Sequence, residues 1–191
     1  MNWFVFGILA WLSIGLDAGF ADVFQPFSMP IAPSFAHVLV VFVALWASPR
    51  HAYAAALIVG AAQDFIAPVP MSPDSARDVV VLGPHALGAA LGVSLVVNLR
   101  SVMIRRSVLS MFIMTIFAVA LLEIVVSATL AVRSIYPGGI YYPNPSRELL
   151  FGLGSALYSA LLAVVLGPPL NAISSVFHFR TAGPAFPGSA R

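Results

Sequence analysis

Residues 108–132 read VLSMFIMTIFAVALLEIVVSATLAV, and this apolar run carries a single ionisable side chain, Glu123. A helix needs about 20 predominantly apolar residues to cross a hydrocarbon core. A strand of a membrane barrel would alternate apolar and polar residues over roughly ten positions. Nothing alternates in MFIMTIFAVALL, so the stretch reads as a transmembrane helix. It sets the class of the whole chain, because the flanking sequence repeats the same character in shorter segments.

The composition agrees. Hydrophobic residues make up 60% of the 191 positions, charged residues only 8%, and the mean hydropathy is +0.98. A soluble domain carries roughly 25% charged residues, and here too few polar side chains remain to coat an aqueous surface. The expected fold is an all-α integral membrane protein, a compact bundle of about six transmembrane helices. The apolar segments fall at about 3–19, 34–47, 51–65, 84–99, 107–132 and 148–166. The second is short and could begin as early as Pro30, since proline is accepted in a first helical turn. Pro84 occupies such a position in the fourth. The first segment lacks the basic start and small-residue cleavage site of a secretory signal, so it reads as a retained span. Residues 1–170 are expected to form one transmembrane domain with residues 66–83 as an insert outside the membrane. Residues 171–191, following GPP, are expected to form a loosely ordered cytoplasmic tail.

All nine basic residues are arginines. Arg50, Arg100, Arg105, Arg106, Arg180 and Arg191 fall in links that share one side of a six-span bundle, which the positive-inside rule makes cytoplasmic. Arg77, Arg133 and Arg147 fall on the other side, with Asp22, Asp74, Asp78 and Glu148. Both termini are then cytoplasmic. Tyr136, Tyr141 and Tyr142 suit the outer interface. The net charge of +2 is too small and too dispersed for a nucleic-acid surface.

Ionisable residues inside apolar spans gather at the outer level. Asp17 ends span one, Asp64 ends span three, and His85 opens span four; His37 lies near an outer end as well. Glu123 is roughly 25 Å up its helix from Arg106 at about 1.5 Å per residue. Two readings stand for this layer. Each group could be satisfied by a neighbouring helix and specify packing, or Asp64, His85 and Glu123 could line an outward cavity or a partner-binding surface. Glu123 has no polar neighbour in VALLEIVVS and needs a partner from elsewhere. Gln63 points about 100° away from Asp64, so the two serve different contacts. Gly15 with Gly19, and Gly88 with Gly92, are four apart and are expected at helix-packing faces. Gly152 and Gly154 are two apart and form no such face.

Signals of catalysis are lacking. The sequence has no cysteine, no HExxH and no phosphate-binding GxxxxGK[ST], and its four histidines have no ligand-like spacing. Asp74, Arg77 and Asp78 read as a solvated face of the insert. No catalytic residue, cofactor or metal is expected.

The pattern GAAQDF (60–65), a loop, then GPHALGAALG (83–92), preceded by ALWASPRHAYAAALIVG (44–60), resembles the bacterial rod shape-determining protein MreD family over about residues 34–132. The resemblance maps onto Asp64, Gly83 and His85. It implies a fold similar to the substrate-binding subunits of vitamin transporters and a non-enzymatic role in the cell-elongation complex, organising peptidoglycan synthesis. The partners it implies are an MreC-like protein, the actin-like MreB, RodA and its penicillin-binding protein. The chain departs from the family pattern at the insert: residues 65–82 separate the acid from Gly83, where the family has only a few residues. The alternative function is a small-molecule-binding membrane subunit of a transporter. Asp64, Gly83, His85, Glu123 and Asp17 are the candidate structural or docking residues under either reading.

Overall fold

The computed structural model describes residues 1–20, 23, 25, 29–72, 78–101, 107–136 and 140–177. Asp22, Asp74, Arg77, Arg105, Arg106, His178, Arg180 and Arg191 lie outside the described residues, and so does the expected tail from residue 178 onward. Among the described residues six α-helices pack into one bundle: α1 (Trp3–Phe20), α2 (Phe35–Trp46), α3 (Pro49–Ile66), α4 (Pro84–Leu99), α5 (Val108–Ser134) and α6 (Pro145–Ala172). Three of them, α3, α4 and α6, begin on a proline. Its fixed φ suits a first turn, and its missing N–H is one the helix could not use there.

The helices are not equivalent. By length and composition three are able to cross a membrane: α1, α5, and α6 with the turn that follows it. Among the described residues, three of the six expected spans therefore have the length and hydropathy of a crossing helix. Helix α2 has twelve residues and α4 has sixteen, so they rise only about 18 and 24 Å at 1.5 Å per residue. Helix α3 is long enough, but Arg50, His51, Gln63 and Asp64 lower its hydropathy. The shortest helix is also the inner one. Helix α2 contacts each of the other five, and every residue from Ala36 to Leu45 is buried. A helix enclosed by others needs no lipid-facing length. Large apolar side chains remain exposed on the outer helices, among them Phe4 and Trp11 on α1, Phe117 on α5, and Leu157 and Val165 on α6. Exposure on that scale fits a lipid solvent, and the chain is a helical, membrane-embedded protein.

Several boundaries differ from the sequence reading. Helix α2 starts at Phe35, behind an N-cap at Ser34, and not near Pro30. Helix α6 continues through Pro168 and Pro169 to Ala172, where a stop at GPP was expected. The residue before a proline is normally pushed out of the helical region by a clash with its Cβ; before Pro168 that residue is Gly167, which has none. A 3-10 turn, Ile173–Ser175, follows. Phe177 is then fully buried against Phe42, and its carbonyl accepts a hydrogen bond from the Asn2 amide at 2.8 Å. Residues 171–177 are therefore packed structure and not the start of a tail, and they bring the beginning of α1 and the end of α6 to one end of the bundle. Arg100 at the end of α4 donates from one guanidinium nitrogen to the carbonyls of Ala44 and Ala47, at 2.7 and 2.6 Å. It supplies donors to the last turn of α2, where carbonyls have no helical partner.

The insert is not plain loop. Val69–Pro70 (β1) and Asp78–Val79 (β2) pair antiparallel, with Val69 opposite Val79. The Tyr141 amide donates to the Pro70 carbonyl at 2.8 Å and ties this ribbon to the α5–α6 link.

Close approach of backbones depends on particular glycines. A Cβ at Gly60 of α3 would lie 2.6 Å from Cα of Ala86, and one at Gly92 of α4 would lie 2.6 Å from the carbonyl oxygen of Ala118 on α5. Gly88 meets the Leu122 carbonyl oxygen at 2.9 Å in the same sense. Gly15 and Gly19 behave differently from expectation: both are exposed, and a Cβ at either would meet nothing within 4 Å. Their face of α1 points away from the described helices, so they pack against none of them. Gly92→Ala is expected to destabilise the protein by about 1–3 kcal/mol through overpacking. Gly15→Ala and Gly19→Ala should be neutral or stabilising by up to about 1 kcal/mol from helix propensity. Thermal unfolding of the three variants in detergent gives the ranking, and equal losses at Gly92 and Gly15 would contradict it.

Candidate functional site

Asp64 sits in the last turn of α3, 1% exposed. One carboxylate oxygen accepts from the amides of Gly83 at 2.7 Å and Ala86 at 3.4 Å; the other accepts from the amide of His85 at 2.9 Å and contacts its Nδ1 at 2.8 Å. The local sequence explains the arrangement. Gly83 is the N-cap of α4, at φ +119°, a conformation that L side chains rarely adopt. Glycine has no side chain to accept the amides of the first turn. Pro84 has no amide, which leaves His85 and Ala86 as the orphan donors that an N-cap side chain would normally satisfy. Asp64 does this from another helix. Gly60, one turn earlier on the same face of α3, lets the first turn of α4 come close enough. An ionised Asp64 can only accept, which puts the shared imidazole proton on Nδ1 of His85.

Asp17 performs the same service for α2. It accepts from the Ser34 hydroxyl at 2.8 Å, the amides of Phe35 and Ala36 at 2.6 and 3.3 Å, and the Gln63 side-chain amide at 2.9 Å. The Ser34 hydroxyl in turn accepts the His37 amide at 3.2 Å. Serines of α6 complete the turn: Ser159 accepts the Ser34 amide and Ser155 the Ala32 amide, at 2.9 and 3.3 Å. Gln63 and Asp64 thus serve different helix starts, one at α2 and one at α4.

Glu123 is placed otherwise. No hydrogen bond to its carboxylate occurs among the described residues. Its side chain lies against Gly152 of α6, where a Cβ would be 2.6 Å from Oε2. Gly152, which spacing alone set aside, is the hollow that accommodates this acid. A glycine facing a lone intramembrane acid was the available signal, but it needs the α5–α6 pairing to be known.

These groups border one cavity of about 400 Å³. Asp64, His85 and Glu123 line it together with Ser127, Tyr142 and Ser155. Val69 and Val81 of the insert form part of its wall, so the insert shapes the site as well as covering that end of the bundle. The Tyr142 hydroxyl donates to Ser127 Oγ at 3.4 Å. Burial raises the Tyr142 phenol above its ordinary range; the Ser127 bond opposes this, and the carboxylates of Glu148 and Glu123 add to the rise. Tyr142 therefore keeps its proton at neutral pH and remains a donor. Among the described residues no three of His, Asp and Glu converge as a metal-ligand set. Asp17 is near this layer but is not among the residues lining the cavity, and Gly83 acts through its backbone alone.

His37 lies beneath the α2 cap, 7% exposed, beside a void of about 10 Å³ between α2, α4 and α5. Among the described residues neither ring nitrogen has a hydrogen-bond partner. A buried polar group without a partner costs about 1–3 kcal/mol, whereas an apolar side chain of similar shape avoids that cost. Compared with protein-family models, curated proteins and solved structures, the chain gives no significant match.

Two substitutions separate these roles. Asp64→Leu leaves buried amides unpaired and should cost about 3–5 kcal/mol, while Asp64→Asn, still an acceptor, should cost about 1–3 kcal/mol. His37→Leu should be neutral or stabilising. Folded yield and melting temperature by size-exclusion after heating check both, and a His37→Leu loss as large as that of Asp64→Leu would refute the assignment.

Proposed function

We propose that the chain is a non-catalytic subunit of the bacterial cell-elongation complex, of the MreD kind, required for rod shape and for organising peptidoglycan synthesis. It sits in the cytoplasmic membrane with both termini in the cytoplasm. One observation carries this reading. The three positions on which the resemblance rests, Asp64, Gly83 and His85, join in a single hydrogen-bonded unit despite the long insert between them. The unit is spent on structure: the Asp64 carboxylate is occupied by the first turn of α4, which suits a rigid docking platform better than a reacting centre. The insert ribbon and the α5–α6 link, fastened through Pro70 and Tyr141, provide the surface beside it. An MreC-like protein, MreB, RodA and its penicillin-binding protein are the partners in this reading.

The cavity favours a second reading, a small-molecule-binding membrane subunit of a transporter. Affinity capture of the tagged full chain from its native membranes separates the two. Recovery of the elongation partners supports the first; recovery of an ATPase pair with a transporter scaffold replaces it with the second. Asp64→Leu combined with His85→Leu should lower partner recovery, at matched membrane levels, more than deletion of residues 71–80 does. The reverse ranking would move the docking surface into the insert. Single cysteines at Ser75 and Ser189 test the orientation in intact cells: an impermeant reagent should label the first only, and labelling of the second alone would overturn it.

A further inference from the structure

The cavity beside Glu123 has features that neither a docking platform nor simple packing requires. Its volume of about 400 Å³ lies within the range of small-molecule sites, about 300–1,000 Å³. A bare metal ion would leave most of that space empty, and no metal-ligand set converges there among the described residues. The walls are mixed. Val126 and Leu130 of α5 and Phe151 of α6 offer apolar contact; the Ser127 and Ser155 hydroxyls offer oxygen acceptors.

The charges are one-sided. Asp64, Glu123 and Glu148 all line the cavity; among the described lining residues there is no arginine or lysine, and the one basic group, the His85 imidazole, is engaged by Asp64. Arg147 stands next to it, with its guanidinium carbon 5.2 Å from the centre of the Phe151 ring. The three acids are in different circumstances. Asp64 is balanced by the donors of α4, and Glu148 is exposed in the first turn of α6. Glu123 has neither compensation: it lies partway along a membrane helix, partly buried, with no hydrogen-bond donor among the described residues. An acid in that position calls for a cation or for water.

We propose that the cavity binds a small organic cation, a protonated amine on an apolar body, with the Glu123 carboxylate as its counter-ion. The ammonium donates to Glu123 and to the Ser127 hydroxyl, and the body lies along Val126, Leu130 and Phe151. An anion would meet three carboxylates, with no arginine or lysine among the described wall residues and the His85 imidazole already held by Asp64. A neutral molecule of the same shape would leave the Glu123 charge without a counter-ion. Gly152 belongs to the site because its missing Cβ leaves room for the carboxylate. The site stands or falls with this cavity and is independent of which functional reading of the chain holds.

The test uses the full-length protein in detergent and three probes that share a phenyl ring: 2-phenylethylamine, 2-phenylethanol and 3-phenylpropanoate. The amine should raise the melting temperature in a concentration-dependent way, as a ligand of the folded state does, and the alcohol and the acid should not. Glu123→Gln should weaken the amine's apparent affinity about tenfold or more, the loss expected for removing a hydrogen-bonded charge. Equal shifts with amine and alcohol, no shift with the amine, or an undiminished shift in Glu123→Gln would each overturn the proposal. Should Glu123→Gln yield no folded protein, Gly152→Ala replaces it. That variant keeps the acid but fills its hollow, so a weakened amine response supports the site and a wild-type response overturns it.

Discussion

The contact between the Asp64 carboxylate and the first turn of α4 is the constraint on which this end of the molecule depends. It requires glycine at 83, for the backbone angle, and glycine at 60, for the approach of α4 to α3. It also explains how residues 65–82 can be accommodated. Closing a longer loop costs only about 0.6 kcal/mol per doubling of its length, and the carboxylate holds the two helix ends together whatever lies between them. The same contact fixes His85 at the edge of the cavity, facing the side of α5 that carries Glu123.

The charge pattern has two physical causes that act in the same direction. Read as topology, the arginines mark one side of a membrane. The structure adds the helix dipole. Helices α2, α4 and α6 all begin at the end where Asp17, Asp64 and Glu148 lie, and an N-terminus favours an anion. At the opposite end α2 finishes on carbonyls that accept from Arg100. An acidic layer at one level and a basic group at the other follow from helix direction alone, so the asymmetry serves folding as well as orientation.

Much of this was legible in the residues. The apolar segments located six helices, and the bounds of α4 were readable because Pro84 marks its start and Arg100 follows its end. What escaped notice lay between elements. MSPDSARDVV has no alternating pattern to announce a ribbon, and the pairing of Val69 with Val79 depends on both insert ends being held. The continuation of α6 past Pro168 turns on Gly167, which looked like part of a stop signal. Gly15 and Gly19 had the right spacing but no described helix opposite them, because spacing defines a face and not what the face meets. Gly152 was passed over for the converse reason: its neighbour, Glu123, lies on another helix. Only three of the six helices have crossing length and hydropathy, because apolar character also reports burial, and α2 is buried by protein.

The setting of α2 also has a consequence in time. Its approach is closed by Ser155 and Ser159, its flank by α4 and α5, and its last turn by Arg100. All of these are synthesised after it. A ribosome delivering this chain N-terminus first releases a short apolar helix whose lasting neighbours do not yet exist, and whose own length is too small to settle across a bilayer. Until α4 and α5 arrive, α2 has only α1 and α3 for company, and until α6 follows it lacks the serine acceptors for the amides of Ala32 and Ser34. Maturation of the bundle is thus set by its final segment, which makes the membrane insertion machinery a custodian of α2 for most of translation.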